Sequence, residues 1–179
     1  GIDPGLRYTG WGVVHVEKEK VKYVNDGIIS TKSNVNDGKR LLYIFQKLED
    51  IILKFKPNII GIEKTFVGEG NISSLKLGMA RGVCLLVAAK TNISIRELAP
   101  KLVKKSVTGT GNADKQQVNS MIKILLGKTP VNDDSSDALA IAIAGINMWP
   151  NFSIDTTNLP TGNGLKSAIE AALLKEQRR

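Results

Sequence analysis

Residues 1–12 read Gly1-Ile2-Asp3-Pro4-Gly5-Leu6-Arg7-Tyr8-Thr9-Gly10-Trp11-Gly12, and their order decides what kind of sheet can follow. Ile2 and Asp3 read as the end of a strand, because Pro4-Gly5 is turn chemistry: proline presets φ and glycine accepts a tight bend. Such a turn projects the Asp3 side chain past the sheet edge. Beyond it, residues 8–16 and 21–31 are rich in Val, Ile, Thr and aromatic side chains around a charged break at 17–20, which predicts an antiparallel hairpin.

Downstream the period changes. Leu41, Ile44, Phe45, Leu48, Ile51, Ile52 and Phe55 recur at helical spacing, and Pro57 closes that helix. Residues 58–63 predict a short buried strand ending at Glu63. Over 73–90, Leu75, Met79, Gly82 and Leu86 share one helical stripe, and Gly78 and Gly82 allow close approach either of a second helix or of the sheet. Residues 92–98 alternate as a strand, a basic loop follows, and helices are expected over 114–126 and 134–148. Ala138, Ala140, Ala142 and Ala144 make the last helix slim enough to lie on a sheet. Hairpin first, then strands alternating with helices, predicts an α/β fold with a mixed five-stranded sheet flanked by helices. Apolar density falls after residue 149, so 1–149 is expected to be the domain and 150–179 a linker and tail with a short helix.

Composition narrows the chemistry. The 179 residues include one cysteine, Cys84, in the apolar run 83–87, and one histidine, His15, in a strand-like stretch. An intrachain disulfide, multi-cysteine metal sites and imidazole-rich zinc sites are excluded, and Cys84 reads as a core thiol. Lysine and arginine number 25 against 17 acids, a net charge of +8, which favours a polyanionic partner. Residues 98–132 concentrate six lysines, Lys101, Lys104, Lys105, Lys115, Lys123 and Lys128, against the single acid Asp114. No apolar run was expected to approach the ~18 residues of a membrane span, so a soluble, cytoplasmic protein without a membrane partner is anticipated. The opening at Gly1, inside a motif that normally follows a strand, suggests that a few native residues precede it.

Four acids stand out by position. Asp3 and Glu63 end two apolar strands, which lie side by side if those strands are parallel, and ligands in open sheets gather at strand carboxyl ends. Asp134 and Asp137, three residues apart at a helix start, share one face. Converging carboxylates repel unless a cation joins them, and hard oxygen donors suit Mg2+ or Mn2+. The expected result is a two-metal centre for in-line phosphoryl displacement. Each acid also has a plainer reading: Asp3 as a turn former, Asp134 as a helix cap. Asp133, adjacent to the pair and four residues before Asp137, is the leading decoy.

The opening dodecapeptide resembles the first motif of the RuvC family of Holliday-junction resolvases. Further blocks follow in family order: Ile62-Glu63-Lys64-Thr65-Phe66, then 75–82 (Leu-Lys-Leu-Gly-Met-Ala-Arg-Gly), then Gly109-Thr110-Gly111-Asn112-Ala113-Asp114-Lys115, then 134–142 (Asp-Ser-Ser-Asp-Ala-Leu-Ala-Ile-Ala). The resemblance spans about residues 1–148. It implies a ribonuclease H-like fold, a homodimer working beside a branch-migration helicase, and paired symmetrical nicks in branched DNA, the four-way junction. Asp3, Glu63, Asp134 and Asp137 would be the catalytic metal ligands for two Mg2+ ions per subunit, with Mn2+ able to substitute. Phe66 would stack on a base at the junction, and Lys104 and Lys115 would contact DNA near the scissile phosphate. Arg81 is left as a DNA or interface contact.

Rival readings stay open at this point. An actin-like ATPase or sugar kinase shares the Asp-x-Gly turn, although the chain is short for duplicated domains and lacks a later glycine-rich adenosine loop. A same-fold nuclease acting on a flap or RNA hybrid, and a non-catalytic junction-binding protein, also fit, since fold alone does not choose a substrate.

Overall fold

The computed structural model describes residues 1–18, 20–64 and 72–147. Phe66 and the expected tail of 150–179 lie outside the described residues. The chain runs β1 (Ile2–Asp3), β2 (Tyr8–Glu17), β3 (Lys20–Ser30), α1 (Asp37–Phe55), β4 (Ile59–Glu63), α2 (Ile72–Lys90), β5 (Ser94–Leu98), α3 (Pro100–Thr108), α4 (Lys115–Leu126) and α5 (Asp133–Asn147). The sheet order is β3-β2-β1-β4-β5. β1 is antiparallel to β2 and parallel to β4, and β4 is parallel to β5, so the sheet is mixed as expected.

Local chemistry sets the element ends. Asn36 caps α1 by accepting the Lys39 N–H, and Lys56, in left-handed conformation at φ 46°, ends it just before Pro57. In α1, Ile44, Leu48 and Ile52 form the buried stripe, packed against Ile2, Ile29, Ile60 and Ile62 of the sheet. α2 adds Ala80, Cys84, Val87 and Ala88 to that layer. Cys84 is fully buried, and burial pushes its thiol up to about 12, as befits an inert core cysteine.

The opposite face of the sheet is covered by α3, α4 and α5, whose core joins Val103, Val107, Met121, Ile122, Leu139 and Ile143. The alanines of α5 let it lie close to the strands, and the glycines of β2 receive it. A Cβ on Gly10 would stand 2.1 Å from the Asp134 carbonyl oxygen, and one on Gly12 would meet Leu139 Cγ at 2.7 Å. Backbone-to-backbone proximity of this kind places the start of α5 over the end of β1.

Two expectations are corrected. The basic stretch after β5 is not a loop but the helix α3, started by Pro100 at its first turn and ended by Gly109 at φ 80°. Val103 and Val107 are buried and the partly buried Leu102 packs beside them, but over nine residues this stripe is too short to stand out from the lysines around it. The expectation that no apolar run approaches a membrane span also fails. By length and composition α2 is long and apolar enough, because Ile72, four leucines and two valines outweigh the interspersed Ser, Lys, Gly and Arg, although it packs on α1 and β5.

Candidate metal centre and DNA cleft

Register brings the first two acids together. Ile2 pairs with Ile62 in the parallel β1–β4 ladder, so Asp3 and Glu63, one residue further along each strand, end side by side at the carboxyl edge. α5 supplies the rest. Its first turn is held by reciprocal bonds: the Ser135 N–H donates to Asn132 Oδ1 at 2.8 Å and the Asn132 N–H donates to Ser135 Oγ at 3.1 Å. One cleft is then lined by Asp3, Glu63 and Asp137, with Lys104 of α3 and Lys115 of α4 on its wall. Asp134, half-buried, stands close enough to raise the pKa of both Asp3 and Asp137.

The lysines are placed by short local motifs. Lys115 is the first residue of α4, behind a capping box in which Asp114 accepts the Gln117 N–H at 2.8 Å and Gln117 accepts the Asp114 N–H at 3.0 Å. Lys104 follows the buried Val103, and its charge counteracts the upward push on Glu63.

Electrostatics shows that the acids form one unit. Burial, followed by the charges of Asp137, Glu63 and Asp134, pushes Asp3 up to about 7, with Lys115 opposing. Burial and Asp137 raise Glu63. Burial also raises Asp137, which outweighs its pairing with Lys115. Burial alone would lower Lys115, yet the charges and hydrogen bonds of Asp137 and Asp133 carry it upward. Among the described residues, no three acidic, histidine or cysteine side chains are drawn up as a finished metal cage. An all-oxygen donor set under such repulsion fits a hard divalent cation, which would relieve it.

This coupling has a pH signature in the metal-free protein. Between about 4 and about 7 the folded state holds a proton on Asp3 that the unfolded chain, with its ordinary carboxyl, has released. Stability is therefore fully present below the unfolded value and falls as pH rises through the folded one, and the raised Glu63 and Asp137 act with the same sign. Melting in chelator is expected to drop from about pH 5 to about pH 8, and Mg2+ to raise Tm more at the higher pH. A flat metal-free profile would contradict the coupling.

Sequence reasoning missed three supporting groups. Asp26, 5% exposed, accepts the Tyr23 hydroxyl at 2.7 Å and the Val131 N–H at 2.8 Å, fastening the segment that leads into α5. Arg81 is held within the fold: its Nε donates to the Glu63 carbonyl at 3.3 Å and its guanidinium pairs with Glu97. Asn119 bridges α4 to α5 through Asp133 and Ser136. Apart from the Tyr23–Asp26 bond, three residues apart, these contacts join residues remote in sequence and leave no local signal.

Comparison with known families then decides the assignment. The model of the family described as crossover junction endodeoxyribonuclease RuvC matches residues 1–145. The chain belongs to the RuvC family. A RuvC relative from Afipia carboxidovorans is 47% identical over 144 residues, covering 80% of this chain and 84% of that protein. One from Nitrobacter hamburgensis is 46% identical over 144 residues, covering 80% and 85%. Among solved structures, T. thermophilus RuvC in complex with Holliday junction substrate superposes with a TM-score of 0.75 at 29% identity, over 80% of this chain and 89% of that one. RuvC membership makes the fold ribonuclease H-like and the chain a junction-resolving endodeoxyribonuclease that depends on a divalent cation.

Proposed function

We propose that the chain resolves four-way DNA junctions by paired symmetrical nicks, with Asp3, Glu63, Asp134 and Asp137 holding two Mg2+ ions per subunit, for which Mn2+ can substitute. The observation that supports this best is the convergence of two strand-end acids and Asp137 in one cleft walled by lysines. Bound there, the cations would supply Lewis acidity to the attacking water and the departing oxygen. The chain's own groups do the rest. Asp3 from the sheet and Asp137 from the helix packed on it hold the reacting phosphate's surroundings at fixed geometry, while Lys104 and Lys115 offer positive charge to its non-bridging oxygens. Phe66 is assigned to stacking on a base at the crossover.

A homodimer follows from the symmetry of the substrate, because two cuts in strands of like polarity need two sites related by a two-fold axis. The exposed stripe of α2 supports this reading: Ile72, Leu75 and Leu86 are 73%, 64% and 58% exposed, and a Cβ on Gly78 or Gly82 would meet nothing within 4 Å. Burial of the stripe on the sheet, the other expectation, does not occur. A branch-migration helicase is the assigned partner and the cytoplasm the assigned place.

The test is incubation with a mobile four-way junction, with and without Mg2+. Mg2+-dependent nicks at symmetric positions on opposing strands are expected. Cutting confined to flaps or hybrids, or nicks at unrelated positions, would overturn the proposal. Lys104→Ala should weaken junction binding and lower the slope of log affinity against log salt by about 1. An unchanged slope would remove Lys104 from the phosphate track.

A further inference from the structure

Two carboxylates compete for Lys115. Its Nζ lies 3.3 Å from Asp137 Oδ2 and 3.4 Å from Asp133 Oδ2. Only Asp137 lines the cleft, whereas Asp133 stands outside it with its side chain 67% exposed. Asp133 is nevertheless oriented. Asn119 Nδ2 donates to its Oδ1 at 3.1 Å, and the orientation of Asn119 is set in turn by the Ser136 hydroxyl, which donates to Asn119 Oδ1 at 2.6 Å from a position 2% exposed. The chain Ser136–Asn119–Asp133 thus leaves one carboxylate oxygen turned to Lys115.

Folding gives little reason for this arrangement, because an exposed ion pair adds almost nothing to stability. The site chemistry gives one. A divalent cation attracts Asp137 more strongly than an ammonium can, and it repels the ammonium as well. Lysine ends a flexible four-carbon stem and would swing into solvent once Asp137 is taken. Lys115, already 53% exposed, has an open path there. Among the described residues, Asp133 is the other carboxylate paired with it.

We propose that Asp133 is a positioning residue for Lys115, keeping its ammonium beside the reacting phosphate when Asp137 is engaged by a divalent cation. This rests on the metal and phosphate roles assigned under the proposed function. Asp133 acts through Lys115 and touches neither metal nor DNA itself.

Two readouts test it. In the first, Asp133→Asn should slow single-turnover junction cleavage by about fivefold while junction affinity stays within about twofold. Asp133→Glu should restore the rate. The double variant with Lys115→Ala should be no slower than Lys115→Ala alone, because both remove one coupled unit. A wild-type rate for Asp133→Asn, or losses that multiply in the double variant, would overturn the proposal. The second readout needs no turnover: acylation of Lys115, followed by peptide mass spectrometry with and without Mg2+. Mg2+ should leave labelling nearly unchanged in the wild type and raise it severalfold in Asp133→Asn; equal labelling in both proteins would also overturn it. Asp137→Asn separates the layers of the argument. If that variant cuts normally, the metal assignment fails, whereas an inactive Asp137→Asn beside a fully active Asp133→Asn sinks only the present inference.

Discussion

Asp137→Asn is expected to stop junction cleavage while leaving the protein folded and bound to DNA. Asp137 lines the cleft with Asp3 and Glu63 and contributes most, after burial, to the raised pKa of Asp3, so it sits at the electrostatic centre of the acids. The amide keeps the shape but loses the charge that holds a cation. A transition-state loss of about 4 kcal/mol, or roughly a thousandfold in rate, is the scale expected when metal-assisted charge stabilisation is removed. Binding moves the other way or not at all. One negative charge disappears from a surface that must meet phosphates, and Lys115 retains its pairing with Asp133. Single-turnover cleavage and a gel-shift titration on the same four-way junction separate the two effects. Parallel loss of both, in a variant that melts like the wild type, would remove Asp137 from the metal centre.

Gly10→Ala should damage stability and activity together. Its new Cβ would stand 2.1 Å from the Asp134 carbonyl oxygen and 2.5 Å from the carbonyl carbon, and neither is the end of a flexible side chain. Relief requires lifting α5 from β2, and α5 carries both Asp134 and Asp137. Overpacking against backbone costs about 3 kcal/mol, which in a domain of this size lowers Tm by roughly 10 °C. The same shift moves two proposed metal ligands relative to Asp3, so the Mg2+ concentration for half-maximal cleavage should rise. Gly38→Ala provides the control: at the start of α1 its Cβ meets nothing nearer than Asn36 Oδ1 at 3.6 Å, and alanine is the better helix former. A Gly10→Ala protein with wild-type melting and metal response would mean that the α5–β2 approach is not a constraint on the site.

Much of this architecture is legible because the relevant signals are local. The turn at Pro4-Gly5, the apolar run before Glu63 and the helical stripe from Leu41 to Phe55 each lie within one element, and each element formed where its pattern indicated. α3 reads as a loop in the sequence because its apolar stripe, Leu102, Val103 and Val107, spans only nine residues and is interrupted by Lys101, Lys104 and Lys105. The expectation that no apolar run approaches a membrane span fails at α2 for a related reason: its leucines and valines are broken up by Ser, Lys, Gly and Arg, so the mean hydropathy is high with no continuous apolar run.

Residue types and strand ends alone determined which groups were available for chemistry: acids without histidine partners, at positions that a parallel sheet would bring to one edge. Tertiary structure decided their company. Lys115 lies between Asp133 and Asp137, Arg81 turns inward to the Glu63 carbonyl, and Asp26 fastens the Val131 backbone from 105 residues away. The division is physical. Backbone propensity and periodicity act over a few residues and are written in order along the chain, whereas a carboxylate's charge state and partner depend on burial and on side chains delivered by other layers, which have no neighbouring letters to announce them.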